Sequence, residues 1–366
     1  MIAPNVRARS AGYAMPNKLV VMLRMGFGVC CLLAASETQA SAQLGPREPT
    51  PEPAIPAIIT LLQTYDVVGM SAAHGMKDLD DFILTLVRTP AFANAVNDIV
   101  VECGNARYQP VLDRYIAGEN VSLAEVQQAW RETTGPHMCT VSSFYAQLFP
   151  LVRRINQALP SAKRLRVLAA DPPIDWMTIA DRADWMRFFA VRDSNIATVI
   201  EKEVLSKHRK ALILFGDAHL AHGLTPSAAA AARQLPGGFA STSAVGRYQE
   251  RYPELTFTIE LYACGAPARW GAASDSWPVP SLLRTRGTRL AAPLNSPFPG
   301  PDGILYLGSP ELLLYELRPA FPFFDDSLIA ELRRRSAVMP ANPQRDAYID
   351  RHASDAETTF LCSAKR

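Results

Sequence analysis

Four short apolar runs, Asp66–Met70, Ile99–Val101, Leu165–Ala169 and Ala211–Phe215, recur along the chain, and each closes in a polar or glycine-containing turn. Runs this short, leucine-rich or β-branched throughout, suit strands covered on both faces. Between them the apolar spacing becomes helical over Asp78–Val87, Tyr108–Ile116, a segment opening at Ser122, Ser143–Leu159 and Arg182–Lys207. Ser122 and Glu125 stand at the capping-box spacing, which marks a helix start. Strand, helix, strand in repetition calls for right-handed crossovers. The expectation is an α/β fold: a largely parallel central sheet flanked by helices, in a single main domain. Thr256–Tyr262 and Ile304–Leu307 would extend that sheet, whereas the Pro-rich, Trp-containing stretch 265–301 has no clear period and reads as a long loop or cap.

The ends read differently. Basic residues followed by an apolar run from Met25 to Ala35 and then Ala40-Ser41-Ala42 have the form of a removable secretion signal over 1–42. The apolar core of 11 residues is too short for the ~20 that span a bilayer. The expected product is exported, periplasmic or secreted, with no stable membrane span after signal removal. Five prolines between Gln43 and Pro56 make 43–56 an extended linker. The α/β domain is expected over 57–335 and a loosely held C-terminal tail over 336–366. Without 1–42 the chain carries 33 basic and 34 acidic residues, a balance that disfavours binding nucleic acid by bulk charge. Cys103, Cys139, Cys264 and Cys362 remain, with three possible pairings and no zinc-ligand spacing. No Walker A turn, dinucleotide fingerprint or HExxH helix is present.

In an open parallel sheet, ligands bind beyond the carboxyl ends of the strands, where helix N-termini also point. The four predicted ends are Ser71-Ala-Ala-His74-Gly75, Glu102-Cys-Gly104-Asn105, Asp171-Pro-Pro-Ile-Asp175-Trp176 and Gly216-Asp217-Ala-His219. Two imidazoles and a carboxylate meeting in one crevice would supply a general base and an acid, or a first shell for a divalent metal (His74, Glu102, His219). Each also has an ordinary reading. A histidine after a strand often bonds a backbone carbonyl, Glu102 could be a buried partner of Arg107 or Arg192, Asp171 opens a turn, and Asp217 could cap a helix. His222 is expected to be exposed, and His137, His208 and His352 to be solvated. Gly69-x-Ser71-x-Ala73 has the outline of a loosened nucleophile elbow, although a small serine tightening a turn explains it more simply.

The succession Val67-Val-Gly-Met-Ser71-Ala-Ala-His74-Gly75, Asp98-Ile-Val-Val-Glu102-Cys-Gly-Asn105, Arg166-Val-Leu-Ala-Ala-Asp171-Pro-Pro-Ile-Asp175-Trp176 and Phe215-Gly-Asp-Ala-His219 resembles the erythromycin esterase-like, ChaN-like and Tiki/TraB superfamily. The resemblance spans Tyr65 to Leu220, with a weaker echo at Ile304–Gly308. It implies an α/β fold with a shared crevice, in which His74 is base or first ligand, Glu102 the central carboxylate and His219 the second imidazole. Such proteins hydrolyse a macrolactone, hydrolyse peptides with a metal, or bind haem. The chain departs from the usual G-E-x-H at Ser71-Ala72-Ala73-His74, so the glutamate is replaced by an alanine that can neither orient a water nor hold a metal. Arg192-Asp193 is a pair that such sequences tend to show; Arg192, with Asp171 and Asp217, is an expected substrate contact. The functional expectation is an exported hydrolase-like protein acting on an ester, lactone or amide. Its rival is a non-catalytic protein holding haem or another small ligand in the same crevice.

Overall fold

The computed structural model describes residues 47–72, 74–140, 143–223, 243–266, 270, 277–291, 299–316, 326–351 and 358–364, all within one unit, 45–366. The signal reading over 1–42 and His352 lie outside the described residues. Eight strands form the central sheet: β1 (Pro51–Pro53), β2 (Val67–Ser71), β3 (Asp98–Asn105), β4 (Arg166–Asp171), β5 (Ala211–Phe215), β6 (Thr256–Leu261), β7 (Ser281–Arg284) and β8 (Gly303–Tyr306). Their order is β1-β7-β8-β6-β2-β5-β3-β4. From β8 to β4 every pairing is parallel, while β7 runs antiparallel to β8 and to β1. The fold is therefore α/β with a largely parallel sheet. β2, β3 and β5 are buried along their whole length, which is why their stretches Val67–Met70, Ile99–Val101 and Ala211–Phe215 are apolar without alternation.

On one face pack α1 (Ala54–Thr64), α2 (Lys77–Arg88), α3 (Gln109–Ala117), α4 (Leu123–Arg131) and, past the short α5 (Pro136–Cys139), α6 (Phe144–Ala158). α4 begins with the capping box expected at Ser122 and Glu125. The stretch Arg182–Lys207 is not one helix. It breaks into α7 (Arg182–Phe189) and α8 (Arg192–Glu203) because its two halves answer to different cores. Trp185 joins Ile174, Trp176, Ile179 and Met339, whereas Ile196, Ala197 and Ile200 pack on the other sheet face with Val100 and Ile213. The short α9 (Asp217–Leu220) and α10 (Ala244–Gln249) follow β5. No described helix is long and apolar enough to cross a membrane.

Three boundaries differ from expectation. Residues 51–53 of the expected linker pair with β7, and α1 begins at Ala54, so the fold starts inside 43–56. The expected loop 265–301 contains β7, which joins the sheet edge through the antiparallel register Leu282↔Leu305. The expected tail is tied down: helices span Asp326–Ala337 and Pro343–Arg351, and β10 (Thr358–Phe360) pairs with β9 (Leu314–Glu316). Disulfides join Cys264 to Cys362 and Cys103 to Cys139. Strand pairing and cross-linking over such separations leave no local periodic signal, which is why the tail looks unattached in the sequence.

Candidate active site

β2 lies between β5 and β6, so the turns leaving β2, β3 and β5 open onto one edge of the sheet. Glu102 reaches that edge from an irregular part of β3. Val101 pairs with Ala169 and Asn105 with Asp171, so four steps on β3 match two on β4. Such a bulge re-aims side chains at a sheet margin. Gly104 permits it, because a Cβ there would meet the Ala169 Cα at 2.8 Å.

The three expected residues meet. His74 Nε2 lies 3.5 Å from Glu102 Oε2, and His219 Nε2 lies 3.5 Å from Glu102 Oε1. Glu102 is buried, yet each of its oxygens also accepts a strong bond: Oε1 from the Arg192 guanidinium at 2.7 Å, Oε2 from the Gly216 backbone N–H at 2.6 Å. Burial by itself would raise the Glu102 pKa, but the adjacent imidazoles outweigh it and hold the carboxyl well below the usual range. For His219, burial would lower the pKa, but bonds to Asp193 (Nδ1 to Oδ1, 2.7 Å) and Glu102 push it up to about 9. One imidazole is thereby held as an imidazolium at neutral pH.

Arg192 projects from the first turn of α8 on the same stripe as Ile196 and Ile200, a four-residue spacing that turns it inward. Besides Glu102 it reaches Asp171 through Nε at 3.2 Å. Asp171, expected to contact substrate, is instead fully buried. The Thr134 N–H and hydroxyl both donate to it at 2.6 Å. Burial, opposed by Arg192 and Thr134, raises its pKa to about 6. Thr133 and Thr134 are in turn held by the indole N–H groups of Trp176 and Trp185, donating to their carbonyls at 3.0 and 2.9 Å. These tryptophans hold a loop that holds Asp171, which steers Arg192 onto Glu102. Arg192 is likewise buried and acts on Glu102, not as an exposed substrate contact. Arg107, the other expected partner of Glu102, pairs with Asp175 at 3.0 Å.

The Ser71 hydroxyl donates to Asp217 and accepts from the Leu261 N–H at 3.1 Å. Its proton goes to a carboxylate and its oxygen ties β2 to β6, so the serine tightens the turn and is not poised as a nucleophile. Asp217 is exposed and lines a cavity of about 300 Å³ beside α9. Gly216 sits at the focus of the site: a Cβ there would lie 3.4 Å from Glu102 Oε2, 3.6 Å from His74 Nε2 and 3.9 Å from His219 Cδ2.

Two other histidines depart from expectation. His222 is not exposed: Nδ1 lies 2.7 Å from Gln249 Oε1 and Nε2 lies 2.8 Å from Asp302 Oδ2. Burial opposes its charge, but the Asp302 bond outweighs burial and raises the pKa. His137 is not solvated; its Nδ1 is buried without a hydrogen-bond partner among the described residues. Burial, reinforced by the charges of Arg345, His74 and Arg192, lowers its pKa to about 3. His137 lies two residues before Cys139, whose partner Cys103 follows Glu102 and stands 3.8 Å from His74 Nδ1. The even cysteine count was the only sequence signal for this placement.

A divalent ion needs ligand atoms about 2 Å away with lone pairs turned toward it. As arranged, both Glu102 oxygens accept from protein donors, Oε1 from the Arg192 guanidinium and Oε2 from the Gly216 N–H. Among the described residues, no group of three His, Cys, Asp or Glu side chains is arranged to hold a metal. In this arrangement the Glu102 oxygens are engaged by protein donors and are not turned toward an ion.

No protein-family profile and no curated protein matches the chain. Three solved structures align distantly with the chain. A Bacillus cereus protein from structural genomics aligns with a TM-score of 0.44 at 11% identity, over 71% of this chain and 95% of that one. The type III effector HopBA1 gives 0.40 at 10% identity, over 73% and 99%. A succinoglycan biosynthesis protein gives 0.41 at 10% identity, over 71% and 94%. Likenesses this distant say nothing of the chemistry in the crevice.

Proposed function

We propose that the crevice hydrolyses a small ester, lactone or amide in an exported protein of the erythromycin esterase-like, ChaN-like and Tiki/TraB kind. The observation that carries this reading is the pair of imidazoles on opposite oxygens of one buried carboxylate, with Asp193 as a second acid on His219. An imidazole held charged by two carboxylates is placed to serve as the acid, which leaves the base to the other ring. In this mechanism His74 takes a proton from water, the resulting hydroxide attacks the carbonyl carbon, and the His219 imidazolium protonates the departing oxygen or nitrogen. Glu102 orients both rings, while its two oxygens accept from Arg192 and the Gly216 N–H. Two disulfides suit an oxidising compartment.

One observation favours a second reading, a small-ligand or haem binder without turnover. Ala72, which stands where the resembled pattern has a glutamate, is buried and adds no water-orienting group. Purified protein assayed on p-nitrophenyl esters and lactones, with His74→Ala alongside, separates the two. Turnover lost in His74→Ala supports hydrolysis. Absent turnover together with a Soret band or a co-purified ligand supports the binder and overturns the hydrolase reading.

A further inference from the structure

The His74 turn is held in a conformation that its own residues disfavour. His74 has φ 39° and Gly75 has φ 96°, so two successive residues lie in the left-handed region. Glycine adopts it freely, but a histidine there is disfavoured roughly tenfold in population relative to ordinary backbone. Such a residue persists where its surroundings over-determine it, and here those surroundings come from the far end of the chain. The Glu316 N–H donates to the Gly75 carbonyl at 2.7 Å, and Met76 forms an isolated bridge with Tyr315. The Leu314 N–H donates to Asp78 Oδ2 at 2.5 Å. The Tyr315 ring fills the space beside Gly75, reaching 3.0 Å from where a Cβ would stand. The Glu316 carboxylate accepts from the Ser143 N–H at 2.9 Å, which anchors the strand to the start of α6.

β9 is itself backed by β10 in the register Thr359↔Tyr315. The Leu361 N–H donates to the Leu313 carbonyl at 2.7 Å, and Cys362 is bonded to Cys264. We propose that this C-terminal strand pair is the positioning element for His74, with Tyr315 and Glu316 as positioning residues and the Cys264–Cys362 disulfide as the bond that keeps them seated. Releasing β10 loosens β9, the turn relaxes toward ordinary backbone, and the His74 imidazole leaves Glu102. The consequence for turnover rests on the hydrolase reading; the placement of His74 does not, and is measurable without a substrate.

The test uses the full mature chain and two variants, Tyr315→Ala and the double Cys264→Ser/Cys362→Ser, with Tyr315→Phe as the conservative partner. Imidazole ¹⁵N spectra report His74, and hydrogen exchange compares the amides of 74–78 with those of β2 and β5. The expected result is a displaced or broadened His74 signal and at least roughly tenfold faster exchange over 74–78, with β2 and β5 unchanged. Tyr315→Phe keeps the ring beside Gly75 and behaves as wild type. On any ester the wild type hydrolyses, kcat falls about tenfold or more while KM stays within about twofold. An unaltered His74 signal and unaltered local exchange in Tyr315→Ala overturn the proposal, whatever happens to Tm. So does a Tyr315→Phe variant as impaired as Tyr315→Ala. If the cysteine variant does not fold, the tyrosine pair decides alone. A wild type that hydrolyses nothing sinks the hydrolase reading and leaves the spectroscopic arm to decide this one.

Discussion

Replacing Gly216 by alanine places one methyl group at the focus of the candidate site. The backbone there, φ −57° and ψ 146°, is open to any L-residue, so no conformational strain arises. The new carbon would stand 3.4, 3.6 and 3.9 Å from Glu102 Oε2, His74 Nε2 and His219 Cδ2, all ordinary van der Waals contacts. The fold should therefore tolerate Gly216→Ala and gain about 0.4–1 kcal/mol from the smaller entropy of the unfolded chain. A water bonded to both Glu102 Oε2 and His74 Nε2 on that side, ~2.8 Å from each, would lie within about 1 Å of the methyl carbon. Such a water is excluded, and with it the general-base step, which contributes about 10²–10⁴ in rate. Thermal melts and ester turnover, or calorimetric affinity if the crevice only binds a ligand, provide the assay. Melting should hold or rise slightly while turnover or affinity falls at least a hundredfold. Wild-type function in a stable Gly216→Ala protein refutes the placement of the reacting atom between these side chains, and a melting point lower by more than about 5 °C refutes the packing argument.

Removing the acid behind His219 with Asp193→Asn should bring its pKa down from about 9 toward the ordinary 6.5, moving the alkaline limb of the kcat profile down by about one to two pH units; an unmoved limb means His219 is not the acid. Because the folded pKa of His219 exceeds its unfolded value, its contribution, about 3 kcal/mol, is fully present below pH 6.5 and is lost as pH rises through 9. Urea melts should show stability falling across that window, with a smaller slope in His219→Gln; part of the slope remains because His222 is raised as well. Arg192→Met leaves Glu102 and Asp171 buried without their shared cation and should cost about 3–5 kcal/mol, partly restored by Asp171→Asn. Equal urea midpoints for Arg192→Met and wild type would contradict that network.

Much of the crevice can be read from the chain. His74, Glu102 and His219 each follow a recognisable strand, and the rule that parallel strands present their carboxyl ends together is enough to gather them. The inward turn of Arg192 is legible too, since Arg192, Ile196 and Ile200 share a helix stripe. What surrounds them is not. Nothing near Asp171 announces that Thr134 will hold it, because Thr134 belongs to an irregular loop fixed by two indoles. His222 meets Asp302 across 80 positions, and the half-buried His137 has its Nδ1 enclosed by parts of the chain that carry no periodic signal toward it.

Taken by itself, the amino-acid order determines the α/β class and the edge at which the chemistry gathers. Hydrophobic period and the handedness of crossovers are local constraints, each satisfied within a few tens of residues. Tertiary structure alone decides how the charges are shared: that Glu102 belongs to Arg192 across 90 positions, that Asp171 is a buried brace, and that β9 holds His74 in left-handed backbone. Electrostatic partnership depends on distance through space in a medium of low polarity, and that distance exists only once the sheet, its covering helices and the returning C-terminal strands have closed around the site.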